Sequence, residues 1–228
     1  NMFETKYSKF LTILLVVIIV AIIGLGGYLG YNYFESTTKV DDANKYVSSF
    51  VEEVKNTAST GNTTSTENIT NPGSISENIA AADTSSNNSS KTRTYKGFNV
   101  LGTIEIPKTN VNMPILEGPA SNNKIEVAVA VQYPLNTKLN TEGNIVIAGH
   151  NYRNGTFFSD NKKLANGDKI YITDLNGSKV EYKVYNIFIT TENDNSFYNR
   201  DTDGKREITL YSCTDDLDGR LIVEARAD

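Results

Sequence analysis

The sequence predicts an all-β domain, a small barrel or sandwich with a few short helices, carried behind a membrane-spanning helix and a flexible linker. Three observations predict it. Residues 10–34 contain no charged side chain. In residues 56–94, 26 of 39 positions are Ser, Thr, Asn or Gly. Residues 96–228 then carry short β-branched runs separated by turn signals, the pattern of a barrel or sandwich.

The run Phe10–Leu29 is long enough to cross the hydrocarbon of a bilayer, which takes about 20 apolar residues in a helix. It is longer than the apolar region of a secretory leader and lacks a clear small-residue cleavage site, so residues 10–34 read as a retained anchor. Lys6 and Lys9 precede it, and Glu35, Asp41 and Asp42 follow. This bias leaves residues 1–9 as a cytoplasmic tail and puts everything after Phe34 outside the cell. Gly26 and Gly30 have a spacing that lets two spans pack closely, or they simply face lipid.

In residues 35–55, Val40, Ala43, Val47, Phe50, Val51 and Val54 recur at helical spacing. They predict a helical stalk that extends the span or docks on the next domain. Residues 56–95 read as a disordered Ser/Thr/Asn-rich linker, because so few apolar side chains cannot offset the entropy of ordering. Within 96–228 the predicted strands are Val100–Ile106, Val111–Leu116, Asn144–Ala148, Lys169–Thr173, Val180–Thr190, Glu207–Cys213 and Leu221–Ala225. Asn166-Gly167-Asp168, Asn176-Gly177 and Asp203-Gly204 supply turns, and Asn176-Gly177 between two alternating runs predicts a hairpin. Helical pieces are expected around Ser121–Val131 and Phe157–Leu164.

Composition narrows the chemistry. The 228 residues include one Cys, one His, no Trp, 13 Tyr and 9 Phe, with a net charge of −5. Without a basic tract there is no footing for nucleic acid. A single cysteine excludes an internal disulfide. One Cys and one His cannot supply the three or four ligands of the usual zinc site. The pair remains compatible with nucleophilic catalysis.

Cys213 closes the run Ile208–Cys213 and precedes the polar turn Thr214–Gly219; Arg220 opens the run Arg220–Arg226. Strand, six-residue connection and strand predict a hairpin with Cys213 and Arg220 facing each other at its open end. A guanidinium beside a thiol favours the thiolate. A buried small hydrophobe is the common fate of a free Cys, but an unpaired thiol outside the cell is exposed to oxidation. His150 ends the run Asn144–His150, whose unalternating centre Ile145–Ala148 predicts a strand buried on both faces. Gly149 is expected to let the chain bend sharply out of the sheet. The only His, the only Cys and an Arg thus each sit at a predicted strand terminus.

These residues resemble the sortase family, membrane-anchored cysteine transpeptidases of Gram-positive bacteria. The matching motifs are Ala148-Gly-His150, Thr209-Leu-Tyr-Ser-Cys213 and the following Arg220, supported by Leu164-Ala-Asn-Gly-Asp-Lys-Ile170. Ser212 stands where the family usually has Thr. The resemblance covers residues 98–227, and the anchor and linker fit it. It implies a closed eight-stranded sortase-like β-barrel with His150, Cys213 and Arg220 as catalytic residues at one end of a groove. Cys213 is then the nucleophile, cleaving a Leu-Pro-X-Thr-Gly-like sorting signal between Thr and Gly. His150 is the proton donor and acceptor, and Arg220 holds the oxyanion or the substrate backbone, with the Thr214 N–H as a second candidate donor. The implied partners are sorting-signal-bearing surface proteins, an amine acceptor such as a peptidoglycan precursor or a pilin, and the membrane through residues 10–34. No cofactor or metal is implied for catalysis; some sortases use calcium near this region, which makes Glu192 and Asp194 candidate ligands for a modulating ion.

Asn199–Gly204 resembles the first half of a calcium loop, but the position that should carry Glu is Leu210, so a turn is expected. The acidic turn Asp215, Asp216, Asp218 reads as solvated. A connection of about 15 residues before Arg206 and the lack of an Asp-Pro-aromatic lid favour a class A, D or E-like enzyme over classes B and C. Papain-like peptidases place Cys before His, and L,D-transpeptidases carry Ser-x-Gly-Cys-Arg, so both fit less well. The non-enzymatic alternative is a membrane-anchored extracellular β-domain with a binding role.

Overall fold

A computed structural model describes residues 2–60 and 92–228. The expected linker core, residues 61–91, lies outside the described residues. The first element is one continuous helix, α1, Met2–Thr60. Its first half carries a row of exposed apolar side chains from Phe10 to Phe34, and an 18-residue window reaches a mean hydropathy of 2.9 with none of it buried. Among the described residues this is the one helix long and apolar enough to cross a membrane.

The second half of α1 has a different partner. Ala43, Val47, Phe50 and Val54 are buried, at the spacing that keeps one helical face turned to one neighbour. The helix both continues the apolar span and docks on the domain, passing without a break from one to the other. It also runs to Thr60, beyond the expected start of the linker.

Nine strands follow: β1 Arg93–Tyr95, β2 Phe98–Ile106, β3 Val111–Leu116, β4 Val129–Tyr133, β5 Gly143–Ala148, β6 Lys169–Asp174, β7 Lys179–Thr190, β8 Arg206–Cys213 and β9 Arg220–Arg226. Their order is β1-β2-β3-β4-β5-β8-β9-β7-β6, and β6 pairs back onto β2. Strands β2–β9 therefore close an eight-stranded barrel, with β1 as a short flap on β2. Only β3–β4 and β5–β8 pair in parallel; the other neighbours are antiparallel. Closure abolishes the free edges that an open sheet would expose.

Alternation fills the interior. Ile104, Ile115, Ile147, Ile172, Leu210 and Val223 point inward and are fully or almost fully buried. Each such side chain contributes about 1.5–3 kcal/mol on leaving water. The β6–β7 hairpin turns at Asn176-Gly177 as expected: Gly177 has φ 82, and the Asp174 carboxylate accepts the N–H groups of Asn176 and Ser178.

Two elements differ from the sequence expectation. The stretch Ser121–Val131, expected to be helical, forms a single turn, α2 Asn122–Ile125, and then strand β4. Val129 and Val131 face the barrel core while Ala130 joins a second cluster with Leu116, a two-faced burial only a strand can supply here. Likewise β1 forms inside the expected linker, because Tyr95 packs edge-on to Tyr46 of α1 at 5.0 Å and Arg93 lies over Phe50 and pairs with Glu53. Around Phe157–Leu164 there is one 3-10 turn, Asn161–Lys163.

Candidate active site

The site is built by register. On β8 the residues facing away from the core are Thr209, Tyr211 and Cys213, alternating with the core residues Ile208 and Leu210. β5 pairs Val146 with Thr209 and Ala148 with Tyr211. β9 pairs Glu224 with Thr209, Ile222 with Tyr211 and Arg220 with Cys213. The outer face thus carries rows across three strands: Val146–Thr209–Glu224, then Ala148–Tyr211–Ile222. The Gly149 N–H donates to the Tyr211 carbonyl at 3.1 Å, a bond of the Ala148–Tyr211 pair, and His150 follows just beyond the end of β5, while Cys213 and Arg220 form the end pair of β8 and β9. Register pairs Cys213 with Arg220; among the described residues no hydrogen bond joins the side chains of His150, Cys213 and Arg220.

All three are half-buried, so they are reachable. Cys213 opens onto a cleft of about 750 Å³ lined by Asn151, Lys162, Ile189, Thr190, Leu221 and the acidic turn 214–219. His150 and Arg220 do not line this cleft. On the outer face lies an apolar patch of Val146, Phe197 and Ile222, with Tyr133, Phe188, Tyr198 and Tyr211 packed around it.

Each side chain has a local reason for its place. A Cβ on Gly149 would sit 2.5 Å from the Phe158 ring, and the Gly149 φ is not positive. The glycine is needed for close approach of Phe158, rather than for the sharp bend that was expected. The Phe158 N–H donates to the His150 carbonyl, which fixes the backbone there. Burial chiefly lowers the imidazole pKa below its usual 6.5; Lys39 adds to this and Glu126 opposes it. The Arg220 guanidinium donates to the Gly219 carbonyl at 3.2 Å and stands 3.8 Å from Glu192. With five N–H donors it keeps capacity for a ligand.

A family model for the Sortase domain matches residues 104–228. The chain belongs to the sortase family. It is 34% identical over 115 residues to Sortase A of Bacillus anthracis, covering 50% of this chain and 52% of the relative. The chain thus spans about half the length of the curated relatives it matches. Among solved structures, a Sortase D5 transpeptidase of Clostridium perfringens is 30% identical with a TM-score of 0.51, over 57% of this chain and 79% of that one. Sortase A of Listeria monocytogenes is 26% identical with a TM-score of 0.51, over 57% of this chain and 87% of that one.

In this sortase the N–H of Thr214, a candidate oxyanion donor from sequence, already donates to the Gly219 carbonyl at 3.0 Å. That bond closes the β8–β9 turn and removes Thr214 from the role. Asp194 accepts from Thr190 and from the Ser196 N–H, and Glu192 faces Arg220. Among the described residues no group of three or more His, Cys, Asp or Glu is placed to hold a metal ion. Asn199–Gly204 forms a turn, with the Asp203 N–H donating to Asp201.

Several site residues escape a reading of the sequence. Asn151 donates to the Cys213 carbonyl at 3.0 Å and to Asp215 at 2.9 Å. Lys162 also pairs with Asp215, and these two contacts hold its carboxyl below the usual range. Arg153 donates to the Asp215 carbonyl. The loop after His150 and the loop after Cys213 are thereby tied together. The signal for Asn151 is only its position beside His150; its partners lie more than sixty residues away.

Proposed function

We propose that this sortase is a membrane-anchored cysteine transpeptidase that cleaves a Leu-Pro-X-Thr-Gly-like sorting signal between Thr and Gly. The reading is supported by one observation: Cys213 opens onto a cleft, Arg220 is its cross-strand partner, and the side chain of Asn151, next to His150, donates to the Cys213 carbonyl.

The Cys213 sulfur attacks the Thr carbonyl carbon, and the carbonyl electron pair moves to oxygen. Arg220 stabilises that oxyanion through its free N–H groups. The C–N bond then breaks, and the departing glycine amine takes a proton from the His150 imidazolium. What remains is a thioester on Cys213. An incoming amine attacks it, gives its proton to His150, and forms the new amide as the thiolate leaves. The acceptor is an amine of a cell-wall precursor or of another surface protein. The half-buried rings of Tyr133, Phe188, Tyr198 and Tyr211, packed on the buried cluster of Val146, Phe197 and Ile222, offer a surface for the apolar residues of the signal.

Lys6 and Lys9 before the span and the acidic residues after it support a cytoplasmic N-terminus with the barrel outside the cell. Confinement to the membrane raises the effective concentration of partners that are themselves membrane-bound. The test is cleavage of a fluorogenic sorting peptide by the full chain in detergent, with a diamine present as acceptor. Wild type should release the glycine fragment and yield the amine adduct, and Cys213→Ala should do neither. Cleavage by Cys213→Ala at the wild-type rate refutes the reading.

A further inference from the structure

The His150 ring has a neighbour that the transpeptidase reading does not use. The Tyr152 ring lies tilted against it, with centroids 4.8 Å apart. Tyr152 is itself braced on three sides. Its N–H donates to the Ser159 hydroxyl at 3.0 Å. Its ring meets Phe157 edge-on at 5.2 Å. Over it stands the Lys39 ammonium of α1, 5.8 Å from the centroid, a cation–π geometry. Asn151 bridges to Phe157 beneath it. The stack therefore runs from the juxtamembrane helix, through an aromatic ring, to the imidazole.

We propose that Tyr152 is the positioning residue for the His150 imidazole, and that Lys39 of the docked helix holds Tyr152 in place. This rests on the reading of His150 as the proton donor and acceptor. An unbraced imidazole on a strand end has two rotatable bonds and water on one face. The Tyr152 ring restricts both freedoms, since it packs against one side of the imidazole. Misplacing a proton-transfer group by about 1 Å costs up to a hundredfold in rate, so a ring that locks the imidazole acts on turnover rather than on substrate affinity.

The electrostatics act on proton affinity, a quantity separate from position. The groups acting on His150 are Glu126 from the connection before β4 and Lys39 from α1, with Tyr152 from its own loop packed against the ring. Burial and Lys39 disfavour the imidazolium and Glu126 favours it, leaving the pKa below 6.5. Tyr152 does not ionise near neutral pH, its pKa being pushed up to about 12 by burial and by Glu126 and Glu35. Removing the ring wets the imidazole, and removing the Lys39 charge weakens the repulsion. Each change raises the His150 pKa.

His150 is the only histidine, so its ring signals in an NMR titration of the full chain in micelles belong to one residue. The midpoint should rise toward 6.5 in Tyr152→Ala and also rise in Lys39→Met, while Tyr152→Phe keeps the wild-type midpoint. On a cleavable sorting peptide, Tyr152→Ala should lose about tenfold to a hundredfold in kcat with KM unchanged. An unmoved midpoint in either Tyr152→Ala or Lys39→Met, in chains whose amide spectrum remains folded, overturns the proposal. So does a Tyr152→Phe chain that behaves like Tyr152→Ala. The titration needs no turnover, so it distinguishes this inference from the transpeptidase reading: midpoints that move in a chain that cleaves nothing would sink only the latter.

Discussion

Cys213 differs from an ordinary buried thiol by the row it occupies. Its sulfur lies on the outer face of the barrel, where alternation along β8 turns it away from Leu210 and the core. Arg220 is its cross-strand partner, and its one ion-pair contact, Glu192, is 62% exposed. An exposed pair of that kind contributes little to stability, so Arg220 is available to act on substrate. Arg220→Ala should lower kcat about a hundredfold, the loss of one positioned oxyanion donor, while the melting temperature stays at the wild-type value. Unchanged turnover would remove Arg220 from the reaction, and a lower melting temperature would make it structural. His150, Cys213 and Arg220 stand out in the sequence because two are unique of their type and all border turns. Asn151 and Tyr152 do not, because nothing local marks a side chain whose partners arrive through distant strands.

At the scale of elements, the loop between β7 and β8 is pinned to the outer face by a charged network. Arg200 approaches Glu207 at 2.8 Å and Glu224 at 3.0 Å, whose side chains are 0% and 6% exposed. It also donates to Tyr185 and Thr209. Asn144 holds the same loop through the carbonyls of Phe197 and Tyr198, the residues that cover the apolar patch. Glu207 retains Arg226 if Arg200 is lost, whereas Glu224 retains only Asn186. Breaking a buried pair by removing one partner leaves an uncompensated charge and costs about 3 kcal/mol. Arg200→Met should therefore lower stability by that amount in urea unfolding and weaken sorting-peptide binding through the freed loop. A variant as stable as wild type would show that the carboxylates are hydrated. The strands of the barrel were largely readable from β-branched runs and turns. β4 was hidden because Val127, Val129 and Val131 alternate with alanines, a pattern equally compatible with a helix, and β1 was hidden because its stability comes from α1.

For the whole molecule, closure of β2–β9 sets one end of three strands beside one cleft, and α1 joins that barrel to an apolar span without a break. Lys96–Asp42 and Arg93–Glu53 fasten the docked half, and Asn112 donates to Asn44. Sequence spacing offered extension or docking as alternatives for this helix; the structure has both at once, because the contacts to the barrel at Lys39, Asp42 and Ala43 follow the end of the apolar run at Phe34. The end of β8 that carries Cys213 consequently belongs to a body joined to an apolar helix. The account stands most directly on trapping the acyl-enzyme. The full chain is incubated with a sorting-signal peptide, quenched in acid, and its intact mass and peptide map are measured. A thioester carrying the signal up to its Thr, on Cys213 and absent from His150→Ala and Cys213→Ala, is the predicted result. Cleaved peptide with no adduct on Cys213, or an adduct on another residue, would contradict it.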